Sequence, residues 1–233
     1  MSLEIELDKH LKIKTNGRDD SNSNFTNYPY EATPYVVLQA LANSGYVKKN
    51  DKLIDYGCGK GRVSFYLAYS NKCNMIGVEY DERLYNSALE NKKRAISSNR
   101  VEFVYSNASD YKVESSVVGA YFFNPFSIQV LKDVLKNLKE SKKENDREIY
   151  LFFYYPSKEY LAILDEDLDI THIEDIDCMD LFNTNDKREY FNYLDKITRT
   201  YPVDINVLYE TTKDEIYKEI LNISKEEIIY CYP

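Results

Sequence analysis

The chain has 233 residues, enough for one domain with extensions and a sizeable core, and short for two full domains. Its 39 acidic and 30 basic side chains leave a net charge of −9. That argues against a broad nucleic-acid footprint, although a local basic groove is compatible with it. Cys58, Cys73, Cys178 and Cys231 follow neither a metal-ligand spacing nor a paired framework, which fits reduced thiols in a cytoplasmic protein. No apolar run nears the ~20 residues of a membrane span, and no signal-peptide pattern is visible. The 23 Tyr and 10 Phe, with no Trp, suit an aromatic core or stacking on a flat substrate.

In chain order, Leu3, Ile5, Leu7, Leu11 and Ile13 are too few to assign an element. Residues 14–28 are polar and read as a linker or lid, so residues 1–29 form an N-terminal segment. Thr33 suits a helix N-cap and Pro34 the first helical position; Val37, Leu38 and Leu41 give an apolar stripe, and Gly45 ends it. Leu53 and Ile54 open an apolar strand that runs into Asp55, Gly57, Gly59 and Gly61, and a helix follows over residues 62–69. Strand, glycine loop and helix together bring a ligand onto a helix N-terminus. The dinucleotide fingerprint needs its third glycine where Arg62 stands, and the phosphate-cradling loop needs Ser or Thr where Gly61 stands.

Met75 to Glu79 is a second apolar strand ending in a carboxylate, 18 residues past Gly61. That is close to the roughly 20 residues at which an acid meets a ribose. The other reading of Glu79 is a solvated start to the next helix, which spans 82–98 with Tyr85, Ala88, Leu89, Ala95 and Ile96 inward. A strand over 101–105 leads to Asn107, Ala108 and Asp110. Residues 117–123 form a strand buried on both faces, running into Asn124, Pro125 and Phe126. Ser127 caps a helix with Ile128, Leu131, Val134, Leu135 and Leu138 inward, and residues 139–146 read as a charged turn. A strand over 149–155 and a helix near 160–164 follow. Beyond them, residues 170–182 and 188–194 suggest a hairpin around a turn at 183–186, then a strand at 205–209 and a helix at 213–221.

The spacing Asp55-x-Gly57-x-Gly59-x-Gly61, together with Glu79, resembles the class I S-adenosylmethionine-dependent methyltransferases over about residues 30–195. The resemblance implies an α/β doubly wound, mostly parallel seven-stranded sheet, with an antiparallel C-terminal hairpin and a C-terminal extension over 196–233. It implies S-adenosylmethionine as cofactor, with Asp55, Gly57, Gly59 and Gly61 lining it and Glu79 holding the ribose. Asn107, with Ala108, stands where the family's acid meets adenine, and Asp110 competes for that place. Tyr30 and Thr33 either close over the cofactor or merely cap and pack their helix. Asn124, Pro125 and Phe126 resemble the amine-methylating branch of the family, in which an Asn holds an NH₂ group and an aromatic ring stacks on the substrate. Here there is one proline where that branch has two, so these residues equally read as a strand-to-helix turn. Asn124 and Phe126 are the candidate catalytic residues.

Asp165, Asp167 and Asp169 alternate like a calcium loop, but Ile170 and Ile176 stand where Gly and Glu are needed, and His172 has no partner at ligand spacing. No metal is therefore expected. The expected activity is methyl transfer to an acceptor that the sequence does not identify, a small molecule or a protein rather than a nucleic acid. The alternative is a non-catalytic binding module on the same fold.

Overall fold

The computed structural model describes residues 3–17, 30–177 and 197–202. Its first helix, α1 (Leu3–Leu11), buries Asp8 and Leu11. Helix α2 (Tyr35–Asn43) starts after Pro34, whose φ of −57° and ψ of 139° place it at the cap; no side chain caps it. Thr33 does not act as the expected cap, because its hydroxyl lies 3.1 Å from the Tyr121 hydroxyl instead. Tyr35 to Leu38 are all buried, so this short helix sits inside the fold rather than on its surface.

Strand β1 (Lys52–Tyr56) leads through the glycine loop into α3 (Arg62–Ser70). Then come β2 (Asn74–Glu79), α4 (Glu82–Lys92) and β3 (Val101–Tyr105). They are followed by β4 (Val117–Phe122), α5 (Ile128–Glu144), β5 (Tyr150–Phe153) and α6 (Lys158–Glu166). The five strands pair in parallel in the order β3-β2-β1-β4-β5. Such pairing buries both faces, which is why Leu53, Ile54, Ala120, Phe122, Leu151 and Phe153 are all at most 1% exposed. At the β5 edge, β6 (Glu174–Asp177) and β7 (Ile197–Pro202) add two short antiparallel strands. The arm over 188–194, the turn at 183–186, the strand at 205–209 and the helix at 213–221 lie outside the described residues.

Two helices depart from the periodicity reading. Helix α4 stops at Lys92 and buries Leu84, Ala88 and Asn91, while Ile96 is 41% exposed. The chain turns at Arg94 and Ala95, whose amides bond back to Asn91 O, so the stripe counted through 98 does not stay on one face. Helix α5 runs on to Glu144 through the expected charged turn, because Ser141 continues its buried stripe. Lys139 on this helix meets Asp167 at 2.5 Å and Asp169 at 2.9 Å, which gives two of the alternating acids a cation.

The sheet order reverses between β1 and β4: the chain builds outward through β2 and β3, then returns to lay β4 on the other side of β1. A crevice opens at such a point beyond the C-terminal strand ends, and open α/β sheets bind their ligands there.

Candidate functional site

The glycine loop follows β1 and the Asn124-Pro125-Phe126 turn follows β4, so the two sequence features meet across that crevice. Beside them a cleft open to solvent is lined by Tyr30, Thr33, Asp55, Gly57, Tyr121 and Phe123, among others. Gly57, Gly59 and Gly61 have φ of 71°, 54° and 86°, in the left-handed region that only glycine adopts cheaply. A Cβ on Gly57 would lie 2.6 Å from the Pro125 Cβ, and one on Gly59 would strike the Tyr30 ring.

Asp55 is 2% exposed and accepts a hydrogen bond from the Ser64 hydroxyl at 2.7 Å. Burial pushes its carboxyl up to about 7, against the pull of the Ser64 hydrogen bonds. Glu79 ends β2, as expected, but faces inward and is 3% exposed. Its Oε2 accepts from the Gly59 amide at 2.8 Å, and its Oε1 accepts from the Tyr80 and Asp81 amides at 3.0 and 2.9 Å. Burial raises its pKa although these three donors favour the charged form. Glu79 is therefore a brace for the glycine loop, a role the sequence reading missed.

Tyr30 and Thr33 both reach the cleft. The Tyr30 ring covers Gly59, with Lys60 Nζ 4.8 Å from its centroid, and its hydroxyl donates to Thr15 O at 2.7 Å. Asn124 has φ of 41°, and its Oδ1 is buried with no hydrogen-bond partner. A left-handed backbone and an unmet buried acceptor thus coincide at one residue. Phe126 is 3% exposed, with its ring edge-on to Tyr56 and Phe122 and its carbonyl accepting from the Tyr160 hydroxyl. It packs the core beneath the turn and offers no face for stacking. Asn107 and Asp110 are exposed and Ala108 is buried, all just beyond β3. Cys58 and Cys73 are buried free thiols, and burial raises both.

Arg62 was passed over in the sequence as a displaced glycine. It is 4% exposed and lines the cleft. Tyr121 was hidden in an apolar run, and its hydroxyl was the available signal. Among the described residues no helix is long and apolar enough to cross a membrane.

Comparison with known proteins finds methyltransferases among the similar chains. A family model described as a methyltransferase domain matches residues 47–150. A protein-lysine N-methyltransferase of Saccharolobus islandicus is 26% identical over 145 residues, which span 61% of this chain and 89% of that protein. The structure of YjhP from E. coli is similar at a TM-score of 0.51 and 13% identity, over 67% of this chain and 71% of that one. An RNA methyltransferase from Salinibacter ruber, solved with S-adenosylhomocysteine, reaches a TM-score of 0.41 at 25% identity, over 48% of this chain and 71% of that one. Residues 47–150 thus match a methyltransferase domain on a Rossmann-like fold, and the chain is similar to S-adenosylmethionine-dependent methyltransferases.

The cleft fits that cofactor: Gly57, with no Cβ, and the buried Asp55 carboxyl line it, and Asn124, with its orphaned amide oxygen, lies one residue beyond the lining residue Phe123.

Proposed function

We propose that this enzyme methylates an amine nitrogen, with a lysine side chain of a protein as the acceptor. One observation carries the reading: the buried, partnerless Oδ1 of Asn124, held at φ 41° where β4 enters the crevice. An amide oxygen there accepts an N–H from the acceptor and so turns the nitrogen lone pair toward the cleft. The relative from Saccharolobus islandicus, a protein-lysine N-methyltransferase, supports the acceptor class.

When bound, the cofactor supplies a methyl group on a sulfonium centre. Asp55 would favour the cationic end of the ligand by charge, with Gly57 beside it in the cleft and Gly59 and Gly61 shaping the loop that follows. Asn124 orients the nitrogen while a C–N bond forms, the C–S bond breaks and the nitrogen gives up a proton. Alignment at roughly 3 Å does most of the work. Phe126 holds the turn from below. We keep Glu79 as an acceptor for ribose through the lone pairs its backbone bonds leave free, and Asn107 with Ala108 as the adenine edge.

The division into residues 1–29, 30–195 and 196–233 is our proposal, as are the cytoplasmic setting and the reading of β6 and β7 as the antiparallel closure of a seven-stranded sheet.

Calorimetry with S-adenosylhomocysteine and with NAD tests the cleft, with micromolar affinity, about 8 kcal/mol, expected for the first alone. Tight binding of NAD alone overturns the cofactor reading. Incubation of a cell extract with radiolabelled S-adenosylmethionine tests the acceptor. Label in the protein fraction, on lysine, is expected; label confined to nucleic acid overturns the amine proposal.

A further inference from the structure

The N-terminal segment is fastened to the glycine loop from two sides. On one side is Arg62, the first residue of α3. Its Nε donates to Thr15 Oγ1 at 2.7 Å, its Nη2 to Asn16 Oδ1 at 2.6 Å, and its Nη1 to Thr33 O at 3.1 Å and to Glu4. The guanidinium also lies over the Tyr35 ring at 4.5 Å. Asp8 completes this side, accepting from the Thr15 amide and hydroxyl and from the Tyr35 hydroxyl at 2.8, 2.7 and 2.6 Å.

On the other side is Asn91, 1% exposed at the end of α4. Its Oδ1 accepts from the Lys14 amide at 2.9 Å, and its Nδ2 donates to Lys14 O at 3.1 Å and to Lys60 O, inside the glycine loop, at 3.0 Å. One side chain thus ties the segment and the loop together.

A packing role alone does not account for this choice of residues. A buried guanidinium loses hydration, and a cation at the first residue of a helix meets the positive end of its dipole. An apolar side chain would fill the same space without either cost. What the guanidinium adds is direction: its planar fork holds Thr15, Asn16 and Thr33 in one arrangement. Thr15 in turn receives the Tyr30 hydroxyl, and Tyr30 covers Gly59.

We propose that Arg62 and Asn91 are positioning residues for cofactor capture, clasping residues 4–16 and Tyr30 against the glycine loop so that the loop keeps its binding shape. The inference rests on the proposed cofactor cleft. It predicts coupling: the clasp tightens when the cleft is filled, and the cleft weakens when the clasp is cut.

The full chain and its variants Arg62→Lys, Asn91→Ala and Asn16→Ala are titrated with S-adenosylhomocysteine well below each melting temperature, and amide exchange is followed with and without it. Arg62→Lys keeps the charge and loses the fork; Asn16 is exposed, so Asn16→Ala retains the fold. The dissociation constant is expected to rise about tenfold for the first two and about threefold for the third. In the wild type the ligand slows exchange at residues 13–16, and that protection fades in the variants. A purely structural role lowers the melting temperature and leaves affinity alone. Folded variants with dissociation constants within twofold of wild type therefore overturn the inference. If the two buried variants do not fold, Asn16→Ala and wild-type exchange decide it: no protection of 13–16 overturns it. A wild type that binds no S-adenosylhomocysteine overturns the cofactor reading itself, and the inference with it.

Discussion

Gly57 and Pro125 touch across the switch point of the sheet: a Cβ on Gly57 would lie 2.6 Å from the Pro125 Cβ. The register explains the contact, since Tyr56 and Phe122, the last residues of β1 and β4, are direct partners. The residues that follow them emerge side by side. The glycine loop and the Asn124-Pro125-Phe126 turn are therefore packed against one another. Gly57→Ala adds a left-handed penalty at φ 71° and a clash with a rigid ring. We expect a loss of about 2–4 kcal/mol in urea unfolding, together with weaker cofactor binding. A variant with wild-type stability shows that the two loops are independent.

Glu79 is more than a strand-end carboxylate. It satisfies the amides of Gly59, Tyr80 and Asp81 in a buried position. Glu79→Ala leaves two buried donors and the partly buried Tyr80 amide without an acceptor, at about 1–3 kcal/mol for each buried one. We expect at least about 3 kcal/mol of destabilisation. Affinity for S-adenosylhomocysteine should fall by roughly 1.5–3 kcal/mol in whatever remains folded. Chemical denaturation and calorimetry separate the two effects, and an unchanged unfolding midpoint contradicts the bracing role.

Asp55 makes stability depend on pH with a defined sign. Its folded-state pKa of about 7 lies above its ordinary 3.8. Between those values the folded chain holds a proton that the unfolded chain has lost, so stability falls as pH rises through this window. Asp55→Asn removes the group and flattens the fall. Melting temperatures from pH 4 to pH 8 for both proteins test this, and equal slopes contradict it. An ammonium group held beside Asp55 favours the carboxylate, so S-adenosylhomocysteine, which carries one, is expected to bind more tightly at pH 8 than at pH 6, with proton release.

Asn124 separates binding from transfer. Asn124→Ala deletes an acceptor that has no partner in the protein, so cofactor affinity should stay within about 0.5 kcal/mol. Methyl transfer to the labelled acceptor should fall on the order of a hundredfold, as a misaligned nucleophile dictates. Asn124→Gly is expected to be as stable as wild type or more so, because φ of 41° costs glycine little. Equal turnover in Asn124→Ala reduces the residue to a turn.

Much of the fold was legible before any coordinates. The alternation of apolar strands with periodic helices over residues 52–166 is a local property, since a strand buried on both faces must be apolar throughout and a surface helix must carry one stripe. The glycine loop was legible because positive φ at alternate positions demands glycine whatever surrounds it. The expected ends of α4 and α5 were wrong for a related reason: periodicity counts faces but does not see where the chain turns, as it does at Arg94, or where a polar residue such as Ser141 is buried.

What only the tertiary structure decided is who meets whom. No spacing rule joins Asp8 and Thr15 to Arg62, Asn91 to Lys60, or Gly57 to Pro125. Those contacts arise because strand order β3-β2-β1-β4-β5 brings segments distant in sequence to one sheet end, and because buried polar groups must find partners in space rather than in sequence. By itself the sequence determined the sheet, the loop and the class of ligand. Burial and long-range hydrogen bonds decided that Glu79 braces the loop, that Phe126 belongs to the core, and that residues 14–16 are held by Arg62 and Asn91 beside the glycine loop.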